Sequence, residues 1–412
     1  MRHRITVFIF FSMIFSQTSH PSIHQEQMAK EKLKPKIPIQ KIKIRTGLDV
    51  LLDSRQDLIQ GKSIALVTNQ SGIDKNGIPN YRRLMNIQDL ELKIIFSPEH
   101  GLFGEAGAGE KVNYSKQNSN LPRVISLYGK TRKPTVEMLQ GIDIILYDIQ
   151  DIGARFYTYI STLGLVMEAA GQLKIPIIVL DRPNPIRGDI IQGPILDLDY
   201  KTFVGYYPIP IRYGGTVGKL AQKIIENKWI SPLPRLEVIE NEGWKLNLWY
   251  DETDLPWVKP SPNIPDLETA ILYPGMCIIE GTNISEGRGT QNPFKQIGAP
   301  WLNGKLLSQK LNNFKLPGVV FAPVSFTPVS IPGISIHPKF QDEQCYGVEI
   351  FITDRNSFSS VKTGVITLFT LYSMNPEKVK FQEFHLNRLW GSDKLYKALL
   401  NEIPLIEFLQ TF

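Results

Sequence analysis

Cysteine and histidine are scarce in this chain of 412 residues, which holds two of the first and six of the second. Cys277 and Cys345 each sit in an apolar, strand-like context, MCII and CYGVEIFI. In an exported protein they can pair or remain as two buried thiols. Their spacing supports no two-cysteine metal site. His100, His337 and His385 form no HExxH or comparable ligand set, so neither zinc nor any other metal is expected. No G-x-S-x-G elbow is present, which removes the usual signature of a serine hydrolase. Gly104, Gly107 and Gly109 have the wrong order for a dinucleotide fingerprint, and Lys219 lacks the glycines of a phosphate loop. No cofactor is expected.

Strong charge is also missing from the body of the chain. The net charge is +6, but Arg2 and Arg4 give residues 1–22 a charge of +2. Residues 23–45 add +5, from seven Lys/Arg against Glu26 and Glu31, which leaves −1 for the remainder. The body therefore carries no nucleic-acid footprint. The one long apolar run outside candidate core elements is residues 5–15 (ITVFIFFSMIF), behind Arg2 and Arg4. It reads as an export signal over residues 1–22, with an uncleaved anchor as the alternative. No cysteine follows it, which argues against a lipoprotein anchor. Residues 23–46, rich in Lys, Gln and Pro, read as a flexible basic spacer. A periplasmic or secreted location is expected.

What the body does contain is a repeated pattern. Residues 63–70 (SIALVTNQ) end in Asn69 and Gln70, and residues 92–101 (LKIIFSPEHG) end in Glu99 and His100. Residues 142–151 (IDIILYDIQD) end in Asp148, Gln150 and Asp151, and residues 177–184 (IIVLDRPN) end in Asp181, Arg182 and Asn184. Each run is apolar throughout, as suits strands of a parallel sheet covered on both faces. Pro98 cannot continue a central strand, so Glu99 and His100 fall just past a strand's carboxyl end, where open α/β sheets bind ligands. Four polar strand ends predict one crevice. Residues 158–174 have helical periodicity, at Leu163, Val166, Met167 and Ala170. Gly214, Gly215 and Thr216 lead into a second helical stretch, with Thr216 as N-cap.

The second half changes character. Residues 256–265 (PWVKPSPNIP) are proline-dense and predict irregular chain, as a domain boundary or a wall of the crevice. Residues 281–290 (GTNISEGRGT) set Asn283, Glu286 and Arg288 among glycines, which suggests a ligand-facing loop. Residues 319–329, 346–353 and 361–372 read as strand, strand and helix.

Together these motifs resemble the NamZ-type exo-β-N-acetylmuramidases. The resemblance rests on Asn69-Gln70-Ser71-Gly72, Ser97-Pro98-Glu99-His100-Gly101, Tyr147-Asp148-Ile149-Gln150-Asp151 with Gly153, and Arg155-Phe156-Tyr157-Thr158-Tyr159. Asp181-Arg182-Pro183-Asn184-Pro185, Glu280-Gly281-Thr282-Asn283 and Ser285-Glu286-Gly287-Arg288-Gly289 complete it. It implies an α/β protein with a Rossmann-like domain over 47–269, a smaller α/β domain over 270–412, and an active site in the cleft between them. It also implies release of N-acetylmuramic acid from the non-reducing ends of peptidoglycan fragments.

Glycoside hydrolysis needs a carboxylic acid to protonate the leaving oxygen and a second group to supply or activate the nucleophile. Glu99 is the expected acid, and the resemblance points the same way. Asp148, Asp151 and Glu286 qualify by position as the second group, unless the substrate's own acetamido group takes that role. An arginine fork pairs well with the lactyl carboxylate of N-acetylmuramic acid, so Arg155, Arg182 and Arg288 are candidates. Tyr157 and Tyr159 suit stacking or hydrogen bonding to the sugar. Asn69, His100, Asp181, Asn184 and Asn283 complete the expected binding set. Two other readings remain open at this point: a different cell-wall hydrolase (amidase, esterase or deacetylase) and a non-catalytic muropeptide-binding protein.

Overall fold

The computed structural model describes residues 40–107, 109–110, 121–400 and 403–412. The expected export signal, residues 1–22, and the spacer up to residue 39 lie outside the described residues. Residues 40–412 form one compact unit.

Its centre is a six-stranded sheet. The strands are β1 (Ser63–Thr68), β2 (Glu91–Ser97), β3 (Arg123–Ser126), β4 (Ile144–Asp148), β5 (Ile177–Leu180) and, beyond the small hairpin of β6 (Gln192–Ile195) and β7 (Pro210–Arg212), β8 (Leu236–Ile239). The order across the sheet is β3-β2-β1-β4-β5-β8, and every neighbouring pair is parallel. The four apolar runs read from the sequence are thus the four adjacent strands β2, β1, β4 and β5.

Alternation of side chains explains why these runs carry no polar face. Ala65, Val67, Ile145, Tyr147, Ile177 and Val179 pack against the helices Tyr159–Leu173 and Val217–Glu226. Ile64, Leu66, Ile144, Leu146, Ile178 and Leu180 pack on the other face against Gly47–Ser54 and Asn80–Met85. A strand sandwiched this way must be apolar at every position. β2 departs once. Its register against β1 slips between Ile64 and Ala65, which turns Lys93 out to solvent while Leu92 and Ile95 share a face. A bulge of this kind is a local irregularity that the apolar pattern alone does not show.

The chain order reverses between β1 and β4. Crevices of open α/β sheets form at such a switch point, outside the carboxyl ends of the strands. The second half supplies the antiparallel sheet β10-β11-β9, made of β9 (Gln296–Ala299), β10 (Val319–Phe326) and β11 (Cys345–Ile352). Helices Gly304–Asn313 and Ser360–Met374 accompany it. Strands β10 and β11 and the helix Ser360–Met374 fall where the sequence predicts them, whereas β9 was not foreseen. The expected boundary at 269/270 lies within the helix Leu267–Met276. Cys277 is not in a strand. It opens the 3-10 turn Cys277–Gly281, and both cysteines are buried and unpaired. Among the described residues no helix is long and apolar enough to cross a membrane.

Candidate active site

Glu99 owes its position to the end of β2. After Ser97 and Pro98 the chain turns sharply, with His100 at φ 72° and Gly101 at φ 79°. Two consecutive left-handed residues reverse the backbone; glycine does this freely and histidine at some cost. The carboxyl of Glu99 is nearly enclosed. Oε1 accepts the Gly109 N–H at 3.2 Å and Oε2 accepts the Thr158 hydroxyl at 2.8 Å. Burial and the adjacent Glu99 carboxylate raise the Tyr128 hydroxyl well above its ordinary pKa. His100 Nδ1 lies 2.8 Å from the Ala106 carbonyl, which can only accept, so Nδ1 carries the proton. Burial lowers the pKa of His100 and outweighs the pull of Glu99, keeping the ring neutral.

Glu99 and His100 open into a pocket of about 120 Å³. Phe156, Tyr157, Tyr159, Tyr273 and Phe294 give it an aromatic wall, held by edge-to-face contacts with centroids 4.8–5.9 Å apart. Such contacts fix the rings in orientation as well as in place. The Tyr159 hydroxyl donates to the Pro260 carbonyl at 2.5 Å. That bond draws in the proline-dense segment, whose Ser261, Asn263 and Ile264 line the pocket. The segment is a wall of the crevice, as one of the two expectations held.

The remaining lining comes from the second half of the chain. Glu280 closes the turn that begins at Cys277, and Arg288 folds back onto it between Gly287 and Gly289, at φ 80° and 77°. Arg288 donates from Nε and Nη2 to Oε1 of Glu280 at 3.2 and 2.6 Å, and stacks over Phe294. Its Nη1 has no hydrogen bond among the described residues. His385 Nε2 lies 3.7 Å from the other oxygen of Glu280. Burial by itself would raise the Glu280 carboxyl, but Arg288 and His385 outweigh it and hold the group at about 2. Cys277 also lines the pocket, yet burial pushes its thiol well above the usual range, so it is no thiolate nucleophile.

Of the residues singled out from the sequence, Glu99, His100, Tyr157, Tyr159 and Arg288 meet in this pocket. The others are committed to the fold. Asp148 is fully buried. It takes Nε and Nη2 of Arg182 at 2.6 and 3.1 Å, and Asn80 Nδ2 at 2.7 Å. Neither partner of that ion pair is available to a substrate. Arg155 is also fully buried, and donates to the carbonyls of Pro194, Ile209, Leu389 and Trp390. Asp181 accepts the Gly218 N–H at 2.8 Å at the start of the helix Val217–Glu226, and Asn241 Nδ2 at 2.8 Å. Asn69 accepts from Ser71, Asn184 bonds Gly215 and Ile186, and Asn283 bonds Lys378 and Lys380; these are loop-shaping contacts. Asp151 is buried, accepts the Gly153 N–H and the Tyr213 hydroxyl, and does not line the pocket. Glu286 lies behind Arg288, 3.4 Å from its Nε and 3.0 Å from Lys339 Nζ. Glu280, Thr158, Ser261, Asn263 and His385 were missed. A signal existed for Glu280, an acid ending the apolar run 276–280, as in the four strand runs.

Two family models match the chain in succession, the N-terminal domain of exo-β-N-acetylmuramidase NamZ over residues 64–268 and its C-terminal domain over 271–412. The chain belongs to the NamZ exo-β-N-acetylmuramidase family. The peptidoglycan β-N-acetylmuramidase NamZ of Bacillus subtilis (strain 168) is 43% identical over 385 residues, which cover 92% of this chain and 88% of that protein. Two crystal structures of DUF1343 family proteins from Bacteroides fragilis NCTC 9343 share the fold. One has a TM-score of 0.82 at 33% identity, covering 91% of this chain and 94% of its own. The other has a TM-score of 0.71 at 30% identity, covering 88% and 92%. The pocket described above takes residues from both segments matched by the NamZ models.

Proposed function

We propose that this pocket releases terminal β-linked N-acetylmuramic acid from the non-reducing ends of peptidoglycan fragments, with Glu99 as the general acid. The observation that carries this reading is the enclosure of Glu99 in an aromatic-walled pocket that also holds a guanidinium with a free edge. The Gly109 N–H and the Thr158 hydroxyl fix that carboxyl in place at the pocket. The aromatic rings suit the apolar faces of a sugar. The free Nη1 of Arg288 suits the lactyl carboxylate, which N-acetylglucosamine lacks. The family and the Bacillus relative support the substrate class.

The fragments are best read as saccharides of N-acetylmuramic acid β-linked to N-acetylglucosamine. Such fragments arise outside the cytoplasm, which fits the basic and apolar leader over residues 1–22. The test is hydrolysis of 4-nitrophenyl β-N-acetylmuramide beside the matching β-N-acetylglucosaminide. Strong preference for the first is expected. Equal rates on both would replace this reading with a general hexosaminidase.

A further inference from the structure

We propose that Glu280 is a second catalytic carboxylate of this pocket, accepting the acetamido N–H of the bound sugar and so directing that acetamido group to act as nucleophile. This rests on the muramidase reading above and names the group that the reading leaves open.

Three acids considered from the sequence are unavailable, since Asp148 is sealed by Arg182, Asp151 lies off the pocket, and Glu286 sits behind Arg288. Glu280 lines the pocket together with Glu99. One of its oxygens is taken by Nε and Nη2 of Arg288, while the other has no hydrogen bond shorter than 3.5 Å among the described residues and lies 3.7 Å from His385 Nε2. That second oxygen is the one a substrate N–H can meet. The groups facing Glu280 are Arg288 and His385, with Tyr273, Cys277 and Glu286 close by.

The layout matches the sugar. In N-acetylmuramic acid the acetamido and lactyl groups are neighbouring substituents on the ring. In the pocket Glu280 and the free Nη1 of Arg288 are neighbouring groups, joined by the guanidinium itself. Glu280 reads the amide while Arg288 reads the lactyl carboxylate.

The chemistry follows from how firmly Glu280 is held as an anion. A carboxylate with a pKa of about 2 is a weak base and a weak nucleophile near neutral pH, so it neither deprotonates water nor attacks carbon well. It is suited to stabilising positive charge. In the first step the acetamido carbonyl oxygen bonds to the anomeric carbon. The glycosidic C–O bond breaks, and its electron pair goes to the leaving oxygen, which takes the Glu99 proton. The ring so formed carries positive charge beside nitrogen, where its N–H meets Glu280. In the second step water adds to the anomeric carbon, its proton returns to Glu99, and the acetamido group is restored. Both steps invert the anomeric centre, so the product keeps the β configuration. Substrate assistance of this kind replaces the enzyme nucleophile of other retaining glycosidases.

The test uses the full-length enzyme and 4-nitrophenyl β-N-acetylmuramide. NMR of the wild-type reaction should show the β anomer first. Replacing the N-acetyl by mono- and difluoroacetyl, which weakens the carbonyl nucleophile, should lower kcat at least ~10-fold across the series. Glu280→Gln should lower kcat at least ~100-fold with a smaller change in KM, and Glu280→Asp, which keeps the charge, should retain more activity. A purely structural role would instead lower Tm while leaving kcat per folded molecule intact. If Glu280→Gln does not fold, Glu280→Asp and the two wild-type measurements still decide. The α anomer first, no response to fluorination, or full kcat in Glu280→Gln overturns the proposal and leaves the muramidase reading standing. A wild type inert on the muramide but active on other glycosides overturns that reading, and the role of Glu280 with it.

Discussion

The Thr158 hydroxyl donates to Oε2 of Glu99 at 2.8 Å. Thr158 precedes the helix Tyr159–Leu173, where a threonine ordinarily turns its oxygen toward the helix's own N–H groups. It makes no such bond here. The helix instead lends its N-terminal side chain to the acid, and the loop after β2 and the helix after β4 are fixed to one another across the switch point.

Removing that donor should cost activity rather than stability. Thr158→Val should lower kcat/KM about 10-fold, the scale of one hydrogen bond to a charged or partly charged group, with Tm unchanged. Thr158→Ser should stay near wild type. Steady-state kinetics with a thermal melt checks both. An unchanged kcat/KM in Thr158→Val shows that the bond does not position Glu99.

Arg288 is the remaining arginine with a free edge in the pocket, so it should govern sugar choice. Arg288→Lys keeps a positive charge near Glu280 and Glu286 but loses the fork. Its preference for β-N-acetylmuramide over β-N-acetylglucosaminide should fall at least ~10-fold, through the muramide rate, because an ammonium cannot hold Glu280 and present a second N–H to the lactyl carboxylate in the same planar geometry. Equal losses on the two sugars would assign Arg288 to the fold alone.

The apolar runs, their polar carboxyl ends and the helix after β4 were legible because a strand covered on both faces has no choice but to be apolar. What each polar end does was not legible. Asp148 and Arg182 end adjacent runs in the sequence reading, and only the register of the sheet shows that they neutralise one another. Arg155 reads as a site residue until its four carbonyl partners, two of them at Leu389 and Trp390, are seen. Glu280 gains its meaning from Arg288, eight residues on, through a left-handed turn, and from His385, more than a hundred residues away. Pairings of that range leave no periodic trace.

The Asp148–Arg182 pair makes a stability prediction. Asp148→Asn leaves Arg182 buried without its counter-charge, a change that costs about 3–5 kcal/mol in such settings. Urea unfolding should show that loss, while the folded fraction keeps its specific activity. A variant as stable as wild type but inactive would return Asp148 to the chemistry.

Stability should also depend on pH with a definite sign. Burial pushes Asp151 and Asp181 up to about 6 from 3.8, so the folded state holds protons that the unfolded chain releases. Their contribution is complete below the unfolded value, near pH 4, and is lost as pH rises through about 6. On the order of 3 kcal/mol is lost per carboxyl. Asp151→Asn removes one of the two, so its unfolding free energy should decline less between pH 4 and 8. Equal declines in variant and wild type would contradict this.

The most direct measurement is the turnover of Glu99→Gln on the unactivated disaccharide of N-acetylmuramic acid β-linked to N-acetylglucosamine, followed by release of the free sugars. The account predicts a loss of at least ~100-fold, the usual scale for a general acid, with an unchanged melting temperature. It predicts a smaller loss on the 4-nitrophenyl glycoside, whose leaving group needs less protonation. Near-wild-type release from the disaccharide would contradict the assignment of Glu99 as the acid.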